Sequence, residues 1–175
     1  MMRLVHSGRR KVVAVIGNNV APAEVARAAE ALGKGLVEAG YRVVSGGLGG
    51  VMEAASRGAH AAARYREGDV IGLLPGREGK DANAWVDVVV PTGLGYARNV
   101  LVVSMADAVV AVAGGAGTLT EIAMAWQLDK PIVALTVGGW SARLAGERID
   151  ERARAAIVAA DTPEAAVAAV QRALS

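Results

Sequence analysis

Glu121 and Arg98 are the charged residues whose surroundings could do chemistry. Glu121 closes the stretch Ala113-Gly114-Gly115-Ala116-Gly117-Thr118-Leu119-Thr120-Glu121. A Gly-Gly-x-Gly loop lets backbone N–H groups approach an anion closely, at the positive end of the helix that follows. A carboxylate in the first helical turn then reaches whatever the anion is attached to. The spacing Thr118-x-x-Glu121 is also that of a capping box, in which Thr accepts from a backbone N–H and Glu reaches back. Its place directly behind a glycine loop favours the site reading. Arg98 lies in Gly93-Leu94-Gly95-Tyr96-Ala97-Arg98-Asn99, before the apolar run Val100 to Val103. It either snorkels at a helix edge or pairs with an anion, and both readings stay open. Asn18-Asn19 either touches a ligand or tolerates a turn.

These residues need a scaffold, and the positions of the 22 glycines describe one. Apolar, β-branched runs over 11–16, 41–45, 70–74, 86–90, 107–113, 131–136 and 157–160 read as strands. Helices are expected from Pro22 to the stop at Gly40, over 51–64, 96–105 and 118–128, and after a Thr162 cap with Pro163 at the first position. Small residues in 51–64 would let that helix sit close to a sheet, and the polar stretch 77–84 reads as a surface loop. Continuous apolar strands alternating with helices specify an α/β fold, a Rossmann-like open parallel sheet of six or seven strands with helices on both faces. Gly17, Gly46, Gly47, Gly49, Gly50, Gly93, Gly114, Gly115 and Gly117 all follow strands, so their loops share the carboxyl edge where such folds bind ligands. The dinucleotide fingerprint does not close, with Met52 and Thr120 at the third-glycine positions, and no Gly-Lys-Ser/Thr triphosphate loop is present. The expected ligand is a monophosphate or another small phosphorylated molecule.

Composition narrows the classes further. The 175 residues are 53% hydrophobic, enough for one domain over 11–175 behind a basic tail over 1–10. The charge of +2, from 19 basic and 17 acidic residues, is no nucleic-acid footprint, and 3% aromatics leave few stacking platforms. The chain has no Cys, which excludes disulfides, thiolate catalysis and zinc knuckles, and His6 and His60 cannot build a histidine metal cluster. No metal site is expected. No apolar stretch approaches a membrane span or a signal-peptide core, so a soluble cytoplasmic protein is expected.

Ser45-Gly46-Gly47, Gly50-Val51-Met52-Glu53, Thr92-Gly93, Arg98-Asn99 and the stretch from Gly114 to Glu121 together resemble the LONELY GUY-like superfamily. Many of its members carry the old label "possible lysine decarboxylase". The resemblance covers about residues 11–136, and the pairing of Thr-Gly-x-Gly with Arg-Asn is most similar to the branch containing molybdenum-cofactor carrier proteins. Decarboxylation would need a Schiff-base lysine, and none of Lys11, Lys34, Lys80 and Lys130 lies in the glycine cluster.

For the phosphoribohydrolase branch, the resemblance implies hydrolysis of a nucleoside 5′-monophosphate to free base and ribose 5-phosphate. Glu121 would then engage the ribose and the attacking water, and Arg98 would supply charge complementarity. The ligand would be held by Gly17, Asn18, Ser45, Gly46, Gly47, Gly50, Met52, Thr92, Gly114, Gly115, Ala116, Gly117 and Thr118. No cofactor is required for this hydrolysis. The alternative is a non-catalytic carrier that holds the molybdenum cofactor by its pterin phosphate. The chain departs from the cytokinin-activating enzymes at Ala113, where they carry Pro, and at Asn99, where they carry Lys. A homodimer through helices 96–105 and 118–128 is expected, since both are apolar around much of their circumference.

Overall fold

Valine-rich runs become strands because β-branched side chains suit a pleated surface covered on both sides. The computed structural model describes residues 8–152 and 155–175. Its strands are β1 (Val12–Gly17), β2 (Arg42–Ser45), β3 (Val70–Leu74), β4 (Val88–Pro91), β5 (Ala108–Val112), β6 (Ile132–Leu135) and β7 (Val158–Ala160). They form one seven-stranded parallel sheet in the order β4-β3-β2-β1-β5-β6-β7. The helices are α1 (Ala23–Glu38), α2 (Val51–His60), α3 (Asn99–Met105), α4 (Ala116–Gln127), α5 (Gly139–Leu144) and α6 (Pro163–Leu174). The expected α/β Rossmann-like fold is the observed one.

Strand alternation divides the core into two layers. Val13 and Val15 of β1 pack with residues of α1, α2 and α6, whereas Val12, Ala14 and Ile16 pack with residues of α3 and α4. The expected face of α1, Val25, Ala29, Leu32 and Leu36, is the buried one. Thr162 caps α6 by accepting from the Ala165 N–H at 3.2 Å. None of the described helices is long and apolar enough to cross a membrane.

Several elements differ from the sequence reading, each for a local reason. The helix expected over 96–105 is a 3-10 turn over Gly95–Arg98 followed by α3, because Gly93 and Gly95 hold φ of 67° and 55° and tighten the chain. Helix α4 begins at Ala116 rather than Thr118. Helix α5 has no counterpart in the sequence reading, which places no element between the strands over 131–136 and 157–160. Of the apolar residues expected on a free dimer face, Val102, Val103, Ile122 and Trp126 are core, while Val100, Leu101, Met105 and Leu128 are exposed. The valines of β4 are exposed as well, because that strand is an edge with one neighbour.

Residues 1–7 of the expected basic tail lie outside the described residues. The basic run behind them is tied to the fold. Arg9 pairs with Asp107, Arg10 with the buried Asp69, and Lys11 donates to the Leu174 carbonyl.

The small residues of α2 bring it against α1 most closely of all. A Cβ at Gly58 would stand 1.9 Å from the Glu30 carbonyl oxygen, and one at Gly33 would stand 2.0 Å from that of Ala55. Neither backbone can yield without separating the helices. Gly58→Ala should therefore lower the free energy of unfolding by about 1–3 kcal/mol or more, as overpacking does. Urea unfolding of the variant with an unchanged midpoint would contradict this packing.

Candidate functional site

The strand order reverses at β1, which has β2 on one side and β5 on the other. Connections leave the carboxyl ends of these two strands in opposite directions, and a crevice opens between them. A cavity of about 320 Å³ occupies that place. Its floor is Val15 and Ile16 of β1, and its walls come from the loops after β1, β2 and β5 and from the 3-10 turn.

The loop after β5 presents the first turn of α4 to this cavity. Ala113 and Gly114 reverse the chain with φ of 53° and 102°. Helix α5 braces this conformation: the Trp140 N–H donates to Gly114 O at 3.1 Å and the Ser141 N–H to Ala113 O at 2.9 Å. The N-cap residue Gly115 makes no side-chain cap. First-turn N–H groups lack intrahelical acceptors, and nothing else among the described residues accepts from Ala116, Gly117 or Thr118. Gly115, Ala116, Gly117 and Thr118 line the cavity. The capping-box geometry is absent, because the earlier helix start places Thr118 inside the first turn and Glu121 beyond it.

Glu121 is buried, 6% exposed, and lines the cavity without a hydrogen-bond partner among the described residues. Burial pushes its carboxyl up to about 7, with the Arg98 charge opposing. Arg98 is 7% exposed, which decides between its two readings: the guanidinium turns inward to the cavity instead of snorkelling outward. Desolvation lowers its pKa while the Glu121 charge raises it, and a guanidinium stays charged through shifts of this kind. Its Nη1 donates to Asn99 Oδ1 at 3.0 Å, and its Nε is buried with no partner. Arg98 and Glu121 influence each other's charge without forming a contact ion pair among the described residues.

The loop after β2 has a different job. Two of its N–H groups are tied to side chains: Gly47 donates to Ser45 Oγ at 3.1 Å and Gly49 to Asn19 Oδ1 at 2.9 Å. At the head of α2, the Val51 N–H donates to Asn18 O at 2.9 Å. The glycines provide clearance instead. A Cβ at Gly46 would lie 2.4 Å from Arg98 Nη1, and one at Gly50 would lie 2.3 Å from Asn18 O.

Of the residues singled out in the sequence, Gly17, Asn18, Asn19, Gly46, Met52, Arg98, Gly115, Ala116, Gly117, Thr118 and Glu121 come together around the cavity. Ser45, Gly47, Gly50, Thr92 and Gly114 stand behind it and shape the loops. Thr92 Oγ1 donates to Leu74 O at 2.7 Å and accepts from the Leu94 N–H at 3.3 Å, turning the segment that carries Arg98. Leu48, Tyr96 and Asn99 also line the cavity, although the sequence reading assigned them no role. The signal for Tyr96 and Asn99 was the glycine pair before them, which forces a tight turn beside the site. An apolar groove of about 600 Å³ continues from Tyr96 and Asn99 between α3 and α4, past Val100 and Met124.

A sequence model of the SLOG cluster4 family matches residues 10–167. The chain belongs to this family. SLOG cluster4 is LOG-like, in agreement with the resemblance drawn from the motifs. An uncharacterized protein of Archaeoglobus fulgidus is 38% identical over 123 residues, 70% of this chain and 78% of its own. The molybdenum cofactor binding protein of Rippkaea orientalis superposes with a TM-score of 0.84 at 30% identity, covering 97% of this chain and 100% of that one. The molybdenum cofactor carrier protein of Chlamydomonas reinhardtii superposes with a TM-score of 0.78 at 28% identity, covering 94% and 99%.

The raised Glu121 pKa has a consequence for stability. Its carboxyl holds a proton more tightly folded than unfolded, so stability falls as pH rises from the ordinary 4.5 to about 7, then levels. Gln at this position cannot ionise. Glu121→Gln should match the wild type in Tm at about pH 4 and exceed it increasingly up to about pH 8. Calorimetry across that range checks this, and a Tm difference independent of pH would mean that Glu121 ionises at no cost.

Proposed function

We propose that the crevice binds the phosphate of a small phosphorylated ligand and that the protein is a molybdenum-cofactor carrier. The observation that carries this reading is the meeting of unpaired α4 N–H groups with the buried Arg98 guanidinium, which no carboxylate contacts among the described residues. Together they make a cradle for one anion. The similarity to a molybdenum cofactor binding protein and to a carrier protein over nearly the whole chain supports the choice of ligand. The cofactor is cargo in this reading, with its metal held by the pterin's own sulfurs. The amides of Ala116, Gly117 and Thr118 with Arg98 would hold the phosphate, and Tyr96 and Leu48 would flank the pterin. With no Cys in the chain, no protein thiolate competes for the metal.

Ala113 supports the carrier over the hydrolase. It occupies the position where the cytokinin-activating enzymes carry Pro, and its φ of 53° is closed to a proline ring. The loop that begins the anion cradle thus follows a path those enzymes' sequence pattern forbids.

Glu121 favours a second reading. A buried carboxyl titrating at about 7 beside an anion site is equipped for general acid–base work on an N-glycosidic bond. That reading is hydrolysis of a nucleoside monophosphate, with Glu121 handling the water and stabilising oxocarbenium character.

One set of measurements separates the two. The wild type should bind the cofactor and release no base from a panel of purine and pyrimidine nucleoside monophosphates, followed by chromatography. Arg98→Ala should weaken cofactor binding by about 10- to 100-fold, as loss of a charge-assisted hydrogen bond does. Base release that falls roughly 10²–10⁴-fold in Glu121→Gln would overturn the carrier in favour of the enzyme.

The exposed residues Val100, Leu101, Met105 and Leu128, of which Val100 lines the groove with Met124, form the proposed homodimer face. Light scattering should give twice the 17.8 kDa of one chain. Leu101→Asp should return the mass to that of a monomer with the far-ultraviolet spectrum unchanged. A wild-type monomer would remove this part of the reading.

A further inference from the structure

Among the described residues, one side chain hydrogen-bonds the Arg98 guanidinium, and that side chain is neutral. Nη1 donates to Asn99 Oδ1 at 3.0 Å, and Nε has no partner. On another side the guanidinium lies against Gly46, where a Cβ would approach Nη1 to 2.4 Å. A guanidinium offers only donors, so the Asn99 amide must turn its oxygen to Arg98. Its NH₂ then faces elsewhere, toward the first turn of α4: a Cβ at Gly117 would stand 3.9 Å from Asn99 Nδ2. This NH₂ donates to nothing else among the described residues.

We propose that Asn99 is a positioning and specificity-determining residue whose oxygen fixes Arg98 while its NH₂ joins the α4 amides around one tetrahedral oxyanion. Three kinds of donor then line one cavity: helix amides, the Asn99 amide and the Arg98 guanidinium. A tetrahedral anion, such as a phosphomonoester, presents acceptors to all of them, whereas a planar carboxylate satisfies donors lying near one plane. Neutrality matters equally. A carboxylate in place of the amide would grip the guanidinium more firmly and cancel the charge that the ligand needs. This inference rests on the anion-site reading and names the contacts of that anion.

The test uses the full chain and inorganic phosphate, followed by phosphorus NMR titration alongside thermal unfolding. Asn99→Asp keeps the size and the acceptor for Arg98 but replaces the NH₂ by oxygen. It should lose phosphate affinity at least about tenfold, equivalent to about 1.4 kcal/mol, with a Tm no lower than that of the wild type. Asn99→Leu, neutral and unable to hydrogen-bond, should lose affinity to a similar degree. A residue that merely held Arg98 in place would lower the affinity for phosphate and for planar nitrate by the same factor, so a phosphate-over-nitrate selectivity unchanged in both variants overturns the NH₂ contact. Wild-type phosphate affinity in either folded variant overturns the proposal. Absence of phosphate binding by the wild type itself overturns the anion-site reading, and the proposal with it.

Discussion

The parallel pairing of β1 with β5 is the constraint on which the site depends. Five residue pairs, from Val13↔Ala108 to Gly17↔Val112, lock these strands at the centre of the sheet. Strands β2 to β4 build outward from β1 on one side, the chain then returns from the β4 edge to β5, and β6 and β7 build on the other side. The crevice is what remains between those two directions of growth. Gly17, at the end of this ladder, shows how tightly the register is held: a Cβ there would meet Val112 O at 2.6 Å and Val51 at 2.7 Å. Sheet pairing, the head of α2 and the cavity floor are therefore fixed together.

Into this crevice the fold brings a cation and a carboxyl group that it does not pair. Buried charges ordinarily find direct partners because desolvation costs several kcal/mol per ion. Arg98 has one neutral hydrogen bond instead, and Glu121 has none among the described residues. The cost appears in the titration of Glu121, raised by burial to about 7. Local backbone strain accompanies it at Ala113, a non-glycine residue in the left-handed region that α5 holds in place. Such unfavourable features persist where the surrounding structure over-determines them, and here both converge on the same cavity.

The glycine loops divide the work between clearance and recognition. The Gly46-to-Gly50 loop ties the Gly47 and Gly49 amides to Ser45 and Asn19 and leaves volume for Arg98 and for the Asn18-Asn19 turn. The Gly114-to-Gly117 loop leaves amides unsatisfied and open. The same residue type thus supports packing in one loop and leaves open amides in the other. What separates them is whether a neighbouring side chain or carbonyl takes the amide.

Much of this was legible in the residue order. Apolar runs alternating with helical spacing determine a parallel α/β sheet, since only strands covered on both faces can be continuously hydrophobic. Glycines behind those runs place the site on the carboxyl edge, and Thr162-Pro163 marks the last helix start. Glu121 stands out from its place behind a glycine loop, whereas residue order leaves Arg98 open between snorkelling and anion pairing. Tertiary structure alone decided the rest. The start of α4 at Ala116, which converts a capping box into an open first turn, depends on the α5 brace from a segment too short and glycine-rich to read. The inward turn of Arg98, the neutral tether at Asn99 and the burial of Val102 and Trp126 are contacts between distant segments. Residue spacing defines what each element can present, but partners for an amide, a charge or an apolar face are settled only when the elements pack.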